Sequence, residues 1–335
     1  MGNSALGVVI LAYGAGDRYL PLAESLLGEG IEAGRIVVVH NPSEPDQAAP
    51  PVPAGCRLLR APYNLGYAAG MNLGVKAQLE GDSELLLLLT HDAKFRDGGL
   101  AALLDAAATN PGYGVLGPVL MLPDGGGPFS FGGTTRRDGV ISHVQSRPSG
   151  DGIASCDWVD GGVLLLRADV VRRVGAFDER FWSYCEEAEF CLRVARAGYG
   201  VGVVLAAEAE QEPGGSKRRG PWAYLTTRNG FAYVRAARGP LGFAAFLGWT
   251  AYDVAMELAR VTLRGLRLRR GPVAEPWVLA VGMTRGALDY ARGRWGPPPA
   301  GLPGGGDIRN TRPPAAEQAP GAMANPRKAH AGEGR

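Results

Sequence analysis

The sequence predicts an α/β protein with a mainly parallel central sheet, followed by C-terminal helices. Three runs carry that reading: GVVILAY (7–13), RIVVVHN (35–41) and ELLLLLT (84–90). Each is short and continuously apolar, as strands buried on both faces must be. The segments between them, roughly 17–29 and 67–80, have helical character, so the alternation is βαβ with right-handed crossovers.

Taken in order, the first run follows MGNSAL, which lacks a basic leader, and it reads as a first strand rather than a secretion signal. The third ends on Thr90-His91-Asp92, polar residues that an apolar core would not tolerate. They belong at the carboxyl end of a central strand, the rim where open α/β sheets bind ligands. Beyond residue 110, FSFGGTTRRDGVISHV looks extended with turns, and WVDGGVLLLRADVV looks like a strand entering a helix. A further helix is expected from near Tyr184 to Gly198. Residues 241–260 are apolar for about a dozen positions and then carry Asp253 and Glu257, too short a clean run to span a bilayer. From Gly296 onward the chain is rich in Pro and Gly without periodicity, and is expected to be disordered. The expected organisation is therefore 1–240, a helical region 241–295, and a tail 296–335.

At 335 residues, 46% of them hydrophobic, the chain can bury a proper core. Lys and Arg number 35 against 33 acidic residues, which gives no bias towards nucleic acid. The four cysteines form no CxxC pair, so a reduced, cytoplasmic protein without a structural zinc site is expected. The basic residues cluster late: ARVTLRGLRLRR sets Arg260, Arg264, Arg267, Arg269 and Arg270 among leucines. Such a helix fits the inner face of a membrane as a peripheral contact, or packing on the rest of the chain or on a second subunit of a homodimer.

Three stretches carry chemistry. In YNLGYAAGMNLG (63–74), a polar turn with Asn64 and Gly66 precedes a helix of small residues bearing Asn72, which either offers its N-terminal N–H groups to an anion or is simply a tight βα turn. In LTHDA, Asp92 beside His91 can hold a divalent cation against a diphosphate, or cap a turn. In YCEEAEFCLR (184–193), Glu186, Glu189 and Arg193 share a helix face, with Glu189 placed to pair with Arg193. Glu187 points elsewhere. Acidic residues suit the start of a helix, but the aromatics of the preceding FDERFWSY raise the pKa of a neighbouring carboxylate and suit it to general-base work.

In order, VVILAYG, VVVHNPS, NLGYAAGMNLG, LLLTHDA, the block DGGVLLLRADVVRRVGAFDERFWSYCEEAEFCLRVARAGY and GGSKRR…TTRNGFAYVR resemble glycosyltransferase family 2, the GT-A fold, nearest its rhamnosyltransferase-like members. The likeness covers roughly residues 5–240. It implies that Ala12, Tyr13, Gly14, Asn41 and Ser43 hold base and ribose, and that Asn64, Gly66 and Asn72 help to position nucleotide and sugar. Asp92 matches the last acid of the metal motif, with His91 beside it, for Mg²⁺ or Mn²⁺. Asp160, Gly161 and Gly162 match a strand start near donor sugar and acceptor. Glu187 matches the usual catalytic base, with Glu186 and Glu189 supporting and Asp160 the next candidate.

Three positions depart from the family pattern. His40-Asn41 replaces an Asp that contacts the base, Thr90 and His91 replace the metal motif's other members, and Gln211 stands where a late His often completes the metal site. The implied reaction is inverting transfer from a nucleotide-diphosphate sugar to a hydroxyl of a glycan, a lipid-linked or a small-molecule acceptor. The alternative is a homologue that binds a nucleotide sugar, or regulates a partner, without turnover. A nucleotidyltransferase is disfavoured because no Gly-rich, basic triphosphate loop follows the first strand.

Overall fold

A computed structural model describes residues 5–14, 17–44, 47–211, 219–266 and 274–304. The first half runs Leu6–Tyr13 (β1), Leu20–Gly28 (α1), Ile36–Asn41 (β2), Arg57–Arg60 (β3), Gly66–Leu79 (α2), Leu85–Thr90 (β4), Lys94–Phe95 (β5) and Gly99–Thr109 (α3). Then come Tyr113–Met121 (β6), Pro128–Ser130 (β7), Gly133–Thr135 (β8), Ile141–His143 (β9), Ile153–Ser155 (β10), Val163–Arg167 (β11), Ala168–Val174 (α4), Glu186–Arg196 (α5), Gly200–Glu210 (β12), Arg219–Gly265 (α6) and Ala274–Ala291 (α7).

One ten-stranded sheet has the order β10-β12-β6-β11-β4-β1-β2-β3, with β5 added on β12 and β7 on β6. The pairs β1–β2, β1–β4, β2–β3 and β6–β12 are parallel, while β11 lies antiparallel between β4 and β6. The α/β reading and the three leading strands hold. The continuous apolar runs are explained by burial on both faces. Val9, Leu11, Leu86 and Leu88 pack with α2, α4 and α5, and the alternate residues Val8, Ile10, Leu87 and Leu89 pack with α1 and α3. Close approach of α2 to the sheet requires Gly74, where a Cβ would come within 2.2 Å of the Val9 side chain.

In the sheet register Leu11 lies opposite both Val39 and Thr90, so β1, β2 and β4 end at one rim. That rim holds the polar residues that terminate each strand. The predicted helix near Tyr184 begins later, at Glu186, because Tyr184 and Cys185 take left-handed conformations.

Past the sheet, α6 runs through the expected boundary at 240 but kinks there, at Gly239 (φ 68°, ψ −162°) before Pro240. Against its first half α7 packs two glycines: a Cβ on Gly282 would meet the Gly220 carbonyl at 2.6 Å, and one on Gly286 the Tyr224 carbonyl at 2.4 Å. Phe231 of α6 stacks on Tyr290 of α7 with ring centroids 5.3 Å apart. No helix among the described residues is long and apolar enough to cross a membrane. Within the segment expected to be disordered, residues 296–304 are placed: the Gly296 carbonyl accepts from Arg228 and Leu302 is buried. Residues 305–335, and the arginines at 267, 269 and 270, lie outside the described residues.

Candidate active site

A cleft of about 1360 Å³ opens at the rim of β1, β2 and β4 and extends to α6 and α7. Tyr13, Asn41, Asn64, Gly66, His91, Asp92, Asp160, Gly161, Gly162, Glu186 and Glu187 all line it. Ala12, Gly14, Ser43, Asn72 and Glu189 are not part of the lining. Gly14 ties β1 to β2 through its N–H to the Asn41 carbonyl, and Ser43 donates to Gln47. Asn72 faces away, holding Phe177 through both its amide donor (2.9 Å) and its carbonyl acceptor (3.0 Å). Glu189 pairs with Arg193 at 2.9 Å, as its spacing predicts.

On the β1–β2 side the amide side chains are largely spent on the protein. Asn41, buried at the end of β2, donates to the Gly66 carbonyl (3.0 Å) and accepts from the Leu65 N–H (2.8 Å). Asn64 accepts from the Gly66 N–H at 3.0 Å. Gly66 has φ 76°, and a Cβ there would meet the Trp182 carbonyl at 2.4 Å. That same carbonyl corrects the expectation of an anion site at the head of α2. It accepts from the Tyr67 and Ala68 N–H groups at 2.7 and 3.1 Å, so these donors are already engaged.

At the end of β4, Thr90 donates its backbone N–H to the Gly162 carbonyl (3.0 Å), and Gln211 donates to the Thr90 hydroxyl (3.2 Å). Gly162 lets the Gln211 side chain lie against the strand start, because a Cβ there would fall 2.1 Å from the end of that side chain and displace it. Asp92 is exposed at this corner of the cleft. Among the described residues no group of three or more His, Cys, Asp and Glu could hold a metal ion. One exposed carboxylate at a cleft corner fits a cation that arrives on a diphosphate and takes most of its ligands from phosphate and water, not a preformed cage.

The opposite side is built differently. Asp160 precedes β11, and its two carboxylate oxygens are held by Ser130 (2.6 Å) and His143 (3.1 Å), while the Ser130 hydroxyl also lies 3.0 Å from His143 Nδ1. The hydrogen bond with Asp160 raises the His143 pKa above its ordinary value. Glu187 is beside this cluster at the head of α5. Burial first, then the Asp160 charge, pushes its carboxyl up to about 7. Burial and the Glu187 charge hold the adjoining Glu186 well above the carboxylate range. Both glutamates have a buried Oε2 with no hydrogen-bond partner among the described residues, as does the Trp158 indole N–H. Buried polar atoms left so are costly and call for a ligand.

The segment before α5 is strained. Trp182, Tyr184 and Cys185 all have positive φ (65°, 70° and 66°), each costing roughly 1–3 kcal/mol unless its surroundings fix it. Asn229 of α6 does so by reaching the carbonyls of Phe181 (2.9 Å), Ser183 (2.9 Å) and Tyr184 (2.8 Å). Arg228, fully buried, donates to Phe181 at 3.1 Å and to Asn229 at 2.9 Å. Ser130, His143, Trp158, Arg228 and Asn229 were not identified from the sequence. The only local signal was an Arg-Asn pair inside an otherwise apolar helix.

No family model matches the chain. It is 29% identical over 250 residues to N-acetylglucosaminyl-diphospho-decaprenol L-rhamnosyltransferase of Mycobacterium tuberculosis, covering 65% of this chain and 80% of the relative. Over a shorter stretch of 42 residues it is 40% identical to the rhamnosyltransferase WbbL of Escherichia coli K12, covering 12% of this chain and 16% of that one. Among solved structures it resembles GalNAc-T7 with UDP, GalNAc and Mn²⁺, with a TM-score of 0.51 at 12% identity. That match covers 75% of this chain, which spans 57% of the solved one. The fold is that of the GT-A glycosyltransferases. In sequence the chain is similar to rhamnosyltransferases over about two thirds of its length.

Proposed function

We propose that the protein is an inverting transferase that moves a sugar, rhamnose by its relatives, from a nucleotide-diphosphate donor to a hydroxyl of a glycan or lipid-linked acceptor. Glu187 carries the reading: a buried carboxyl with an unpartnered oxygen, raised to about 7, at the edge of a cleft that reaches the sheet's ligand rim. A base of that pKa is poised to take a proton at neutral pH.

The acceptor hydroxyl attacks the anomeric carbon on the face opposite the diphosphate. The new carbon–oxygen bond forms as the bond to the diphosphate oxygen breaks, and the electron pair leaves with the diphosphate. The acceptor's proton passes to Glu187 Oε2. Asp160, its own oxygens held by Ser130 and His143, orients the sugar or acceptor hydroxyls. Asp92, with Thr90, His91 and Gln211 at the same corner, would hold Mg²⁺ or Mn²⁺. When bound, the ion offsets charge growing on the departing diphosphate. The acceptor class, and with it peripheral contact with the cytoplasmic face of a membrane, follows the lipid-linked substrate in the name of the mycobacterial relative.

The test is Glu187→Gln, which keeps size and hydrogen bonding but cannot take the proton. Turnover should fall by about two to four orders of magnitude with donor affinity unchanged. Glu189→Gln, which only breaks the Arg193 pair, should cost far less. Near-normal turnover in Glu187→Gln, with loss in Glu186→Gln or Glu189→Gln, would assign the base to another glutamate.

A further inference from the structure

Beyond its kink, α6 shows solvent a face that folding leaves unexplained. Among the exposed residues from 244 to 259 only Asp253 is charged, and the large ones are Leu247, Trp249, Tyr252, Met256 and Leu258. Tyr252 is 55% exposed, and Trp277 on α7 adds a second indole at 49%. Soluble surfaces seldom leave so continuous an apolar patch open without a partner.

Charge identifies that partner. Residues 219–304 carry twelve arginines against four acidic residues, whereas residues 1–218 carry eighteen basic against twenty-six acidic. The near-neutral total hides an acidic catalytic part and a strongly basic helical part. A basic helical pair with exposed Trp and Tyr has the composition of elements that lie in a bilayer interface, where rings sit at headgroup level and arginines meet anionic lipid. A second copy fits less well, since apposing two such faces would bring two basic segments together. The cleft runs onto the same surface, because Trp249, Asp253 and Glu257 of α6 and Leu279 and Met283 of α7 line its outer end.

We propose that the solvent face of α6 between residues 244 and 259, together with Trp277, docks on an anionic lipid bilayer, so that the outer end of the active-site cleft opens at the membrane surface. This assigns a surface to the membrane contact proposed above and stands whether or not Glu187 is the base. It also moves the contact from the arginine run expected in the sequence to the apolar face just before it.

The test uses the full chain and the double variant Tyr252→Glu/Met256→Glu, two exposed residues one turn apart that do not line the cleft. Co-sedimentation is measured with phosphatidylcholine vesicles with and without phosphatidylglycerol, alongside melting temperature and nucleotide binding. The wild type should bind the anionic vesicles, more weakly as salt rises. The variant should lose about tenfold or more of that binding while melting and nucleotide affinity stay put. Glu187→Gln should bind vesicles like the wild type, which separates this claim from the catalytic one. Equal vesicle binding by wild type and variant would overturn the proposal, and so would binding seen only after residues 305–335 are removed. A wild-type dimer that the variant dissolves, without lipid binding by either, would assign the face to a second copy.

Discussion

The two sides of the cleft engage their polar groups to different degrees. On the β1–β2 side, the Asn41 and Asn64 side chains bond the turn before α2, and the first N–H groups of α2 are taken by Trp182. On the α5 side, Glu186, Glu187 and Trp158 keep buried polar atoms with no protein partner. One side is a scaffold that shapes a binding surface from backbone. The other holds its chemistry in reserve, and the fold carries the energetic cost of burying it.

Two substitutions should separate the sides most sharply. Glu187→Gln, with its loss of turnover, should leave the fold intact and even firm it above neutral pH. A carboxyl raised from the ordinary 4.5 to about 7 contributes stability below 4.5 and loses it as pH rises through 7. Glutamine escapes the burial of that charge, so stability in urea at pH 8 should rise by about 1–3 kcal/mol. Asn41→Ala should do the reverse. It strands the Leu65 N–H and the Gly66 carbonyl and should destabilise by about 1–3 kcal/mol, with turnover per folded molecule changed only modestly. A large kinetic loss in a fully folded Asn41→Ala would mean that this amide touches the donor, and the contrast would fail.

The smallest expected effect belongs to Asp92. In Asp92→Ala, donor affinity should fall about tenfold in Mn²⁺ and remain as in wild type with chelator present, since a lone carboxylate shares the ion with phosphate and water. Calorimetry that finds equal affinity for both proteins in Mn²⁺ would remove the cation from this corner.

What the sequence disclosed followed separation along the chain. The end of β4 at Asp92 and the acidic turn at Glu186–Glu189 were legible because a strand and a helix announce themselves locally. The Glu189–Arg193 pair was legible for the same reason, being one helical turn apart. Asp160 was found, but Ser130 and His143 were not, because their partnership joins β7, β9 and the turn before β11. Asn229 reaches back more than forty residues to hold the strained turn before α5. Asn41, expected from the family resemblance to hold base and ribose, does line the cleft, but the bonds of its side chain to the turn before α2 join distant segments that no local pattern announces.

The account rests on Glu187 being the proton acceptor because its surroundings raise it into the neutral range. The pH dependence of kcat/KM, measured with saturating metal and a fixed low acceptor concentration, tests that claim most directly. With burial and Asp160 setting its pKa to about 7, the rate should be level above neutrality and drop about tenfold per pH unit below it. A profile that stays flat to pH 5 would show that no carboxyl of that pKa takes the proton, and would contradict the account.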